Sequence, residues 1–265
     1  MNRIHHTIQK AHEQNRKLFI PFITAGYPEI KDTIPLILAL ERAGADIIEL
    51  GIPFSDPIAD GPVIQRSSFE SLKRGFSLRQ LFPLVKELRK KSEVPLLFFT
   101  YYNPVFHWGL KDFCERTREC GVDGLLIPDL PPDEAEEIRS HGEKNDISLV
   151  FLVAPTTTPE RIKLVEKCST DFIYCVSVTG TTGVREGLSQ QVEPFLQYIR
   201  QTVTKPFVVG FGIATPDDVR RIARLSDGVV VGSALIKFIG EHAGDPELYH
   251  KVEDFMQMVG EPLRS

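Results

Sequence analysis

The sequence predicts a (β/α)8 TIM barrel, and three observations carry that expectation. Eight short apolar runs recur with helical stretches between them: "LFIPFIT" (Leu18–Thr24), "DIIEL" (Asp46–Leu50), "PLLFFT" (Pro95–Thr100), "GLLIP" (Gly124–Pro128), "SLVFLV" (Ser148–Val153), "FIYCVS" (Phe172–Ser177), "PFVVGF" (Pro206–Phe211) and "GVVVG" (Gly228–Gly232). None alternates polar with apolar residues, so each reads as a strand buried on both faces, as in a parallel sheet. Eight strand-helix units is the count at which such a sheet closes on itself. A doubly wound sheet also alternates strand and helix, but it usually has fewer strands and a GxGxxG after the first, which is absent here. At 265 residues the chain has the length of one barrel, and residues 1–265 are read as a single domain.

Ahead of the first strand, the stretch to Gln14 predicts an extra helix plugging the end of the barrel opposite the active face. "TIPLILALERAG" supplies the helix after strand 1. The connection from Leu50 to Pro95 has room for a loop and two helices, "VIQRSSFESLKRG" and "SLRQLFPLVKELRKK". Later helices open with good caps: Thr158-Pro159-Glu160 and Thr215-Pro216-Asp217 each place Pro at the first helical position after a hydroxyl residue. The segment Val178–Leu188, "VTGTTGVREGL", is rich in Gly and Thr and has no apolar stripe to dock it. It is expected to act as a lid that is mobile when the site is empty. Both long connections follow strand C-terminal ends, the face where barrels of this kind keep their active sites.

Composition removes several classes of function. The chain is 42% hydrophobic and 25% charged with a net charge of -5, and no basic patch points to nucleic acid. No apolar run is long enough to span a bilayer, and the start lacks the apolar core of a signal peptide. The four cysteines form no CxxC pair and no framework spacing, as expected of reduced thiols in a cytoplasmic protein.

The strand ends hold the chemistry. Glu49 interrupts an otherwise apolar strand, and no strand carries a Lys or Arg to pair with it. A buried carboxylate is costly unless paired or protonated, and burial is how enzymes tune such groups. Asp60, in the Pro-rich loop that follows, has the plainer reading of an Asp-Gly turn. Beside Glu49 it becomes half of an acid/base pair. Lys17 and Lys205 precede strands, on the wrong face for a Schiff base. No histidines stand at metal-ligand spacing, His107 is a lone imidazole, and Cys175 reads as a small hydrophobe within its strand. Gly210, Gly212, Gly232 and Ser233 sit at the exits of the last two strands. Backbone amides there, next to a helix N-terminus, suit a phosphate.

The segment "IELGIPFSDPIADGPVIQ" resembles the signature of the tryptophan synthase α subunit family. "PFITAGYP", "TYYNPVF", "DGLLIPDLP", "FLVAPTTTPERI", "YCVSVTGTTG", "VGFGI" and "GSALI" continue the resemblance in order over essentially the whole chain. The resemblance implies retro-aldol cleavage of indole-3-glycerol phosphate to indole and glyceraldehyde 3-phosphate. The indole ring is then the electron sink, so no metal or Schiff base is needed. By resemblance, Glu49 protonates C3 and takes the proton of the side-chain hydroxyl, while Asp60 accepts the ring N–H. Phe22, Phe99, Leu126, Ile127, Tyr174 and Phe211 would lie around the ring, with Thr182 approaching Asp60 from the lid. Gly183, Gly212, Gly232 and Ser233 would hold the phosphate. Thr181 departs from the valine more usual there and adds a hydroxyl to the lid.

The resemblance also implies a partner, a pyridoxal-phosphate β subunit that receives the indole, with no cofactor in this chain. Pro53, Phe54, Asp56, Asn103, Val105 and Phe106 match the surface that faces it. Two alternatives stay open on the sequence: another phosphate-sugar barrel enzyme such as an isomerase, and a non-catalytic regulator of the β subunit.

Overall fold

The computed structural model describes residues 2–176, 192–210 and 212–264. Nine parallel strand segments form one sheet: β1 (Leu18–Thr24), β2 (Ile48–Gly51), β3 (Leu96–Phe99), β4 (Gly124–Leu126), β5 (Ser148–Val150), β6 (Leu152–Val153), β7 (Ile173–Val176), β8 (Phe207–Gly210) and β9 (Gly228–Val231). Their order in the sheet is β5-β4-β3-β2-β1-β9-β8-β7-β6. The two ends of that order, β5 and β6, are halves of one apolar run divided at Phe151. The first half pairs with β4 and the second with β7, so the chain itself completes the ring. The nine segments therefore correspond to the eight expected strands. All seven residues of β1 and all four of β9 are buried, as continuous apolarity requires of barrel strands.

Twelve helices surround the sheet among the described residues: α1 (Arg3–Glu13), α2 (Thr33–Arg42), α3 (Pro62–Lys73), α4 (Leu78–Arg89), α5 (Tyr102–Trp108), α6 (Leu110–Cys120), α7 (Glu136–Lys144), α8 (Pro159–Cys168), α9 (Val192–Thr202), α10 (Pro216–Ala223), α11 (Ser233–Glu241) and α12 (Leu248–Gly260). α3 and α4 are the two helices expected after the second strand. Thr158 caps α8 by accepting from the Arg161 N–H, and Thr215 closes a reciprocal capping box with Asp218 at the start of α10. α5 was not anticipated, because seven residues are too few to display a helical period. No helix among the described residues is long and apolar enough to cross a membrane.

α1 closes the N-terminal end of the barrel, as expected. Asn2 caps it by accepting from the Ile4 N–H, while its Nδ2 donates to the Asp123 and Asp146 carbonyls at 2.6 and 2.8 Å. Ile4 is fully buried against that end. A recurring device braces the same face. Asp46, Asp123 and Asp227, each just before a strand, accept the N–H of Phe19, Leu96 and Phe207 at 2.8, 2.9 and 3.0 Å. Each also meets a basic side chain: Arg16 for Asp46, Arg3 and Arg89 for Asp123, and Arg200 for Asp227. Strand starts are thereby stitched in pairs, leaving the opposite face free for loops.

Candidate active site

Glu49 sits in β2, in register with Phe22 of β1 and Leu97 of β3. It is 1% exposed, and among the described residues no cation pairs with it. Among the described residues, its carboxyl has one hydrogen bond, from the Tyr174 hydroxyl of β7, which donates to Oε2 at 3.3 Å, and Oε1 has no partner. Gly210 of β8 makes that reach possible, since a Cβ there would stand 2.6 Å from the Tyr174 hydroxyl oxygen. Burial pushes the Glu49 carboxyl up to about 8; Tyr174 opposes the shift and the Asp60 charge adds to it. Burial thus favours the protonated form of Glu49, a carboxylic acid with a proton to give.

Asp60 lies in the loop between β2 and α3. The loop turns on itself through the Asp60 N–H to Pro57 carbonyl bond of 3.0 Å, and Gln65 of α3 donates to the Asp60 carbonyl at 3.0 Å. The Asp60 side chain is buried, and Oδ2 accepts from the Tyr101 hydroxyl at 3.0 Å. Burial pushes this carboxyl up to about 6, with the Tyr101 hydrogen bond drawing it back. Two carboxyls of one mouth thus hold different protonation states between about 6 and about 8, an acid in β2 and an anion in the loop.

Apolar walls flank the pair. Phe22 and Phe99 meet edge to face with centroids 5.7 Å apart, and Leu126 and Ile127 are buried at the end of β4. The last two strands end in the expected glycines. Gly212 follows β8 with φ +55, a left-handed backbone that a side chain would strain. Gly232 takes the N-cap position of α11 without a side-chain cap, and Ser233 opens that helix. No side chain therefore caps the first amides of α11 among the described residues. Thr182, Gly183 and Phe211 lie outside the described residues, as do Thr181 and the rest of the expected lid. Among the described residues, no group of three or more His, Cys, Asp or Glu could hold a metal. A surface cleft of about 790 Å³ between α4 and α5–α6 is lined by Arg79, His107, Trp108 and Asp112, and neither carboxylate reaches it.

The family model described as "Tryptophan synthase alpha chain" matches residues 8–261. The chain belongs to the tryptophan synthase alpha chain family. A relative of that name from Thermoanaerobacter is 43% identical over 263 residues, covering 99% of this chain and 100% of its own. Tryptophan synthase subunit alpha from Legionella pneumophila superposes with a TM-score of 0.92 at 32% identity, over 100% of this chain and 99% of its own. A structure described for mutual activation of the tryptophan synthase a2b2 complex of Pyrococcus furiosus gives a TM-score of 0.86 at 40% identity, over 92% of this chain and 98% of its own.

Within this tryptophan synthase alpha chain fold, the six residues expected to face a partner divide. Asp56, Asn103 and Phe106 are exposed and Phe54 is half-buried, all around the mouth. Pro53 and Val105 are buried, Val105 completely. This corrects their placement on the surface: Pro53 lies buried two residues beyond the end of β2, and Val105 lies on the buried side of α5. Ile58, 80% exposed in the same loop as Asp60, was not singled out from the sequence, though an apolar residue in a Pro-rich loop was the available signal. Tyr101 was also missed. It was readable only as part of "TYYNPVF", and nothing in that segment announces its contact with Asp60.

Proposed function

We propose that this chain cleaves indole-3-glycerol phosphate to indole and glyceraldehyde 3-phosphate, using Glu49 as acid and base and Asp60 as the anion that balances the ring. One observation carries the reading: a strand carboxyl, Glu49, buried without a cation among the described residues and held at Oε2 by Tyr174, shares its barrel mouth with a second buried carboxyl, Asp60, held by Tyr101.

The steps follow from those two carboxyls. Glu49 delivers its proton to C3 of the indole, and positive charge develops on the ring nitrogen. Asp60 accepts the ring N–H and stabilises that cation. Glu49, now a carboxylate, takes the proton from the hydroxyl on the carbon attached to C3. The bond between that carbon and C3 breaks and its electron pair returns to the ring, leaving indole and an aldehyde. Glu49 ends protonated, ready for another cycle. Tyr174 holds Oε2 of Glu49, which orients Oε1 for both transfers.

Phe22, Phe99, Leu126 and Ile127 would enclose the ring. The amides at Gly212, Gly232 and Ser233 would take the phosphate, with Thr182, Gly183 and Phe211 completing the two ends on sequence grounds. The indole would pass to a β subunit that carries pyridoxal phosphate, docked over Phe54, Asp56, Asn103 and Phe106, in a cytoplasmic complex. Residues 1–265 would act as one barrel domain. The test is to incubate the purified chain with indole-3-glycerol phosphate, with and without a β subunit, and quantify both products. Equimolar indole and glyceraldehyde 3-phosphate are expected. Isomerised substrate without indole would point to a sugar-phosphate isomerase, and no turnover under either condition to a binding role.

A further inference from the structure

Tyr101 stands where three parts of the barrel mouth meet. It follows β3 and occupies the N-cap position of α5. Its ring stacks on Phe54 of the β2–α3 loop, with centroids 5.2 Å apart, and meets Phe99 edge-on at 6.5 Å. The side chain is buried. Its oxygen accepts the Ala59 N–H at 3.0 Å and donates to Oδ2 of Asp60 at 3.0 Å. With the backbone amide on its lone pair, the phenol's single proton is committed to the carboxylate. Burial also pushes the phenol's own ionisation far above its ordinary range, so it remains a donor.

We propose that Tyr101 is a positioning residue for the cleavage: its hydroxyl fixes one oxygen of Asp60 to the mouth and aims the other at the ring nitrogen of the substrate. This rests on the reading that Asp60 accepts the ring N–H. Two properties follow from the geometry. The phenol favours the carboxylate of Asp60 over its protonated form, since only the anion uses the donor fully. It also ties the loop carrying Asp60 to the start of α5, so Asp60 is held by a rigid element and not by its own loop alone.

The experiment is a profile of kcat/KM for indole release between about pH 5 and pH 9, in wild type, Tyr101→Phe, Asp60→Asn and the double variant. Tyr101→Phe should lower kcat/KM by about 10- to 100-fold, the scale of one hydrogen bond to a charged group. It should also move the acidic limb to higher pH, because the carboxylate loses its donor. Affinity for glycerol 3-phosphate, which offers only the phosphate handle, should stay within about 2-fold of wild type, well below the scale of a lost charged contact. In the Asp60→Asn background the same change should cost little more, since the residue Tyr101 positions has already lost its charge. Replacing Tyr101 with 3-fluorotyrosine keeps the ring and strengthens the donor, so the acidic limb should move to lower pH. That arm decides the matter if Tyr101→Phe does not fold. An active wild type whose acidic limb stays fixed in these variants, or an equal loss with and without Asp60, overturns the proposal. A wild type that releases no indole overturns the functional reading first and this proposal with it.

Discussion

Replacing Glu49 with glutamine should make the protein more stable, and increasingly so as the pH rises. Glu49 is 1% exposed, lacks a cation among the described residues, and is pushed up to about 8 from an ordinary 4.5. A carboxyl raised in this way contributes stability that is fully present below about 4.5, declines as pH rises, and is lost once pH passes about 8. Each pH unit in that window costs about 1.4 kcal/mol, so the native state carries on the order of 3 kcal/mol of penalty at pH 7. Glutamine has the same shape and does not titrate. For a chain of this size, 3 kcal/mol corresponds to roughly 5–10 °C in Tm. The assay is thermal or urea unfolding of wild type and Glu49→Gln at several values between about pH 5 and pH 8. The curves should nearly meet at the acid end and separate steadily toward pH 8. Parallel curves across the range would refute the claim that burial holds Glu49 protonated.

Three further outcomes are expected. The pH profile of kcat/KM should be a bell, with an acidic limb near 6 where Asp60 gains its proton and a basic limb near 8 where Glu49 loses its own; a rate still rising above about 9 would contradict that assignment. Gly212→Val should weaken phosphate binding, measured with glycerol 3-phosphate, because the φ of +55 is strained for a β-branched residue; unchanged affinity would remove Gly212 from the site. Asp123→Ala should destabilise by about 3–5 kcal/mol in urea unfolding, since it strips a buried carboxylate from Arg89 and Arg3 and from the Leu96 N–H. A loss under about 1 kcal/mol would mean those groups find water instead.

Much of this architecture was legible because the signals were local. Eight apolar runs with helical spacers announce a parallel barrel, and a glutamate inside one of them announces Glu49. The division of the fifth run into β5 and β6 was not readable, since it depends on which half meets β4 and which meets β7. The bracing aspartates escaped notice for a similar reason. Asp46, Asp123 and Asp227 stand one or two residues before their strands in Gly-x-Asp or Asp-Gly stretches that read equally as plain turns, and only the folded backbone brings each to a neighbouring strand's N–H. Tyr101 shows the limit most clearly. Its partner is 41 residues away in sequence, on a loop whose path is set by the turn at Pro57 and by Gln65. Pro53 and Val105 were placed on the partner-facing surface by resemblance alone, but their apolar side chains lie in the interior.

The account stands most directly on what Glu49 does to the carbon–carbon bond. The decisive measurement is single-turnover release of indole from indole-3-glycerol phosphate by wild type and by Glu49→Gln at saturating substrate, with substrate affinity determined separately. Loss of one acid/base group predicts a rate lower by about 10²- to 10⁴-fold. Affinity should stay close to wild type, because the proton transfers belong to the transition state. Indole release at a near-normal rate from Glu49→Gln would contradict the account.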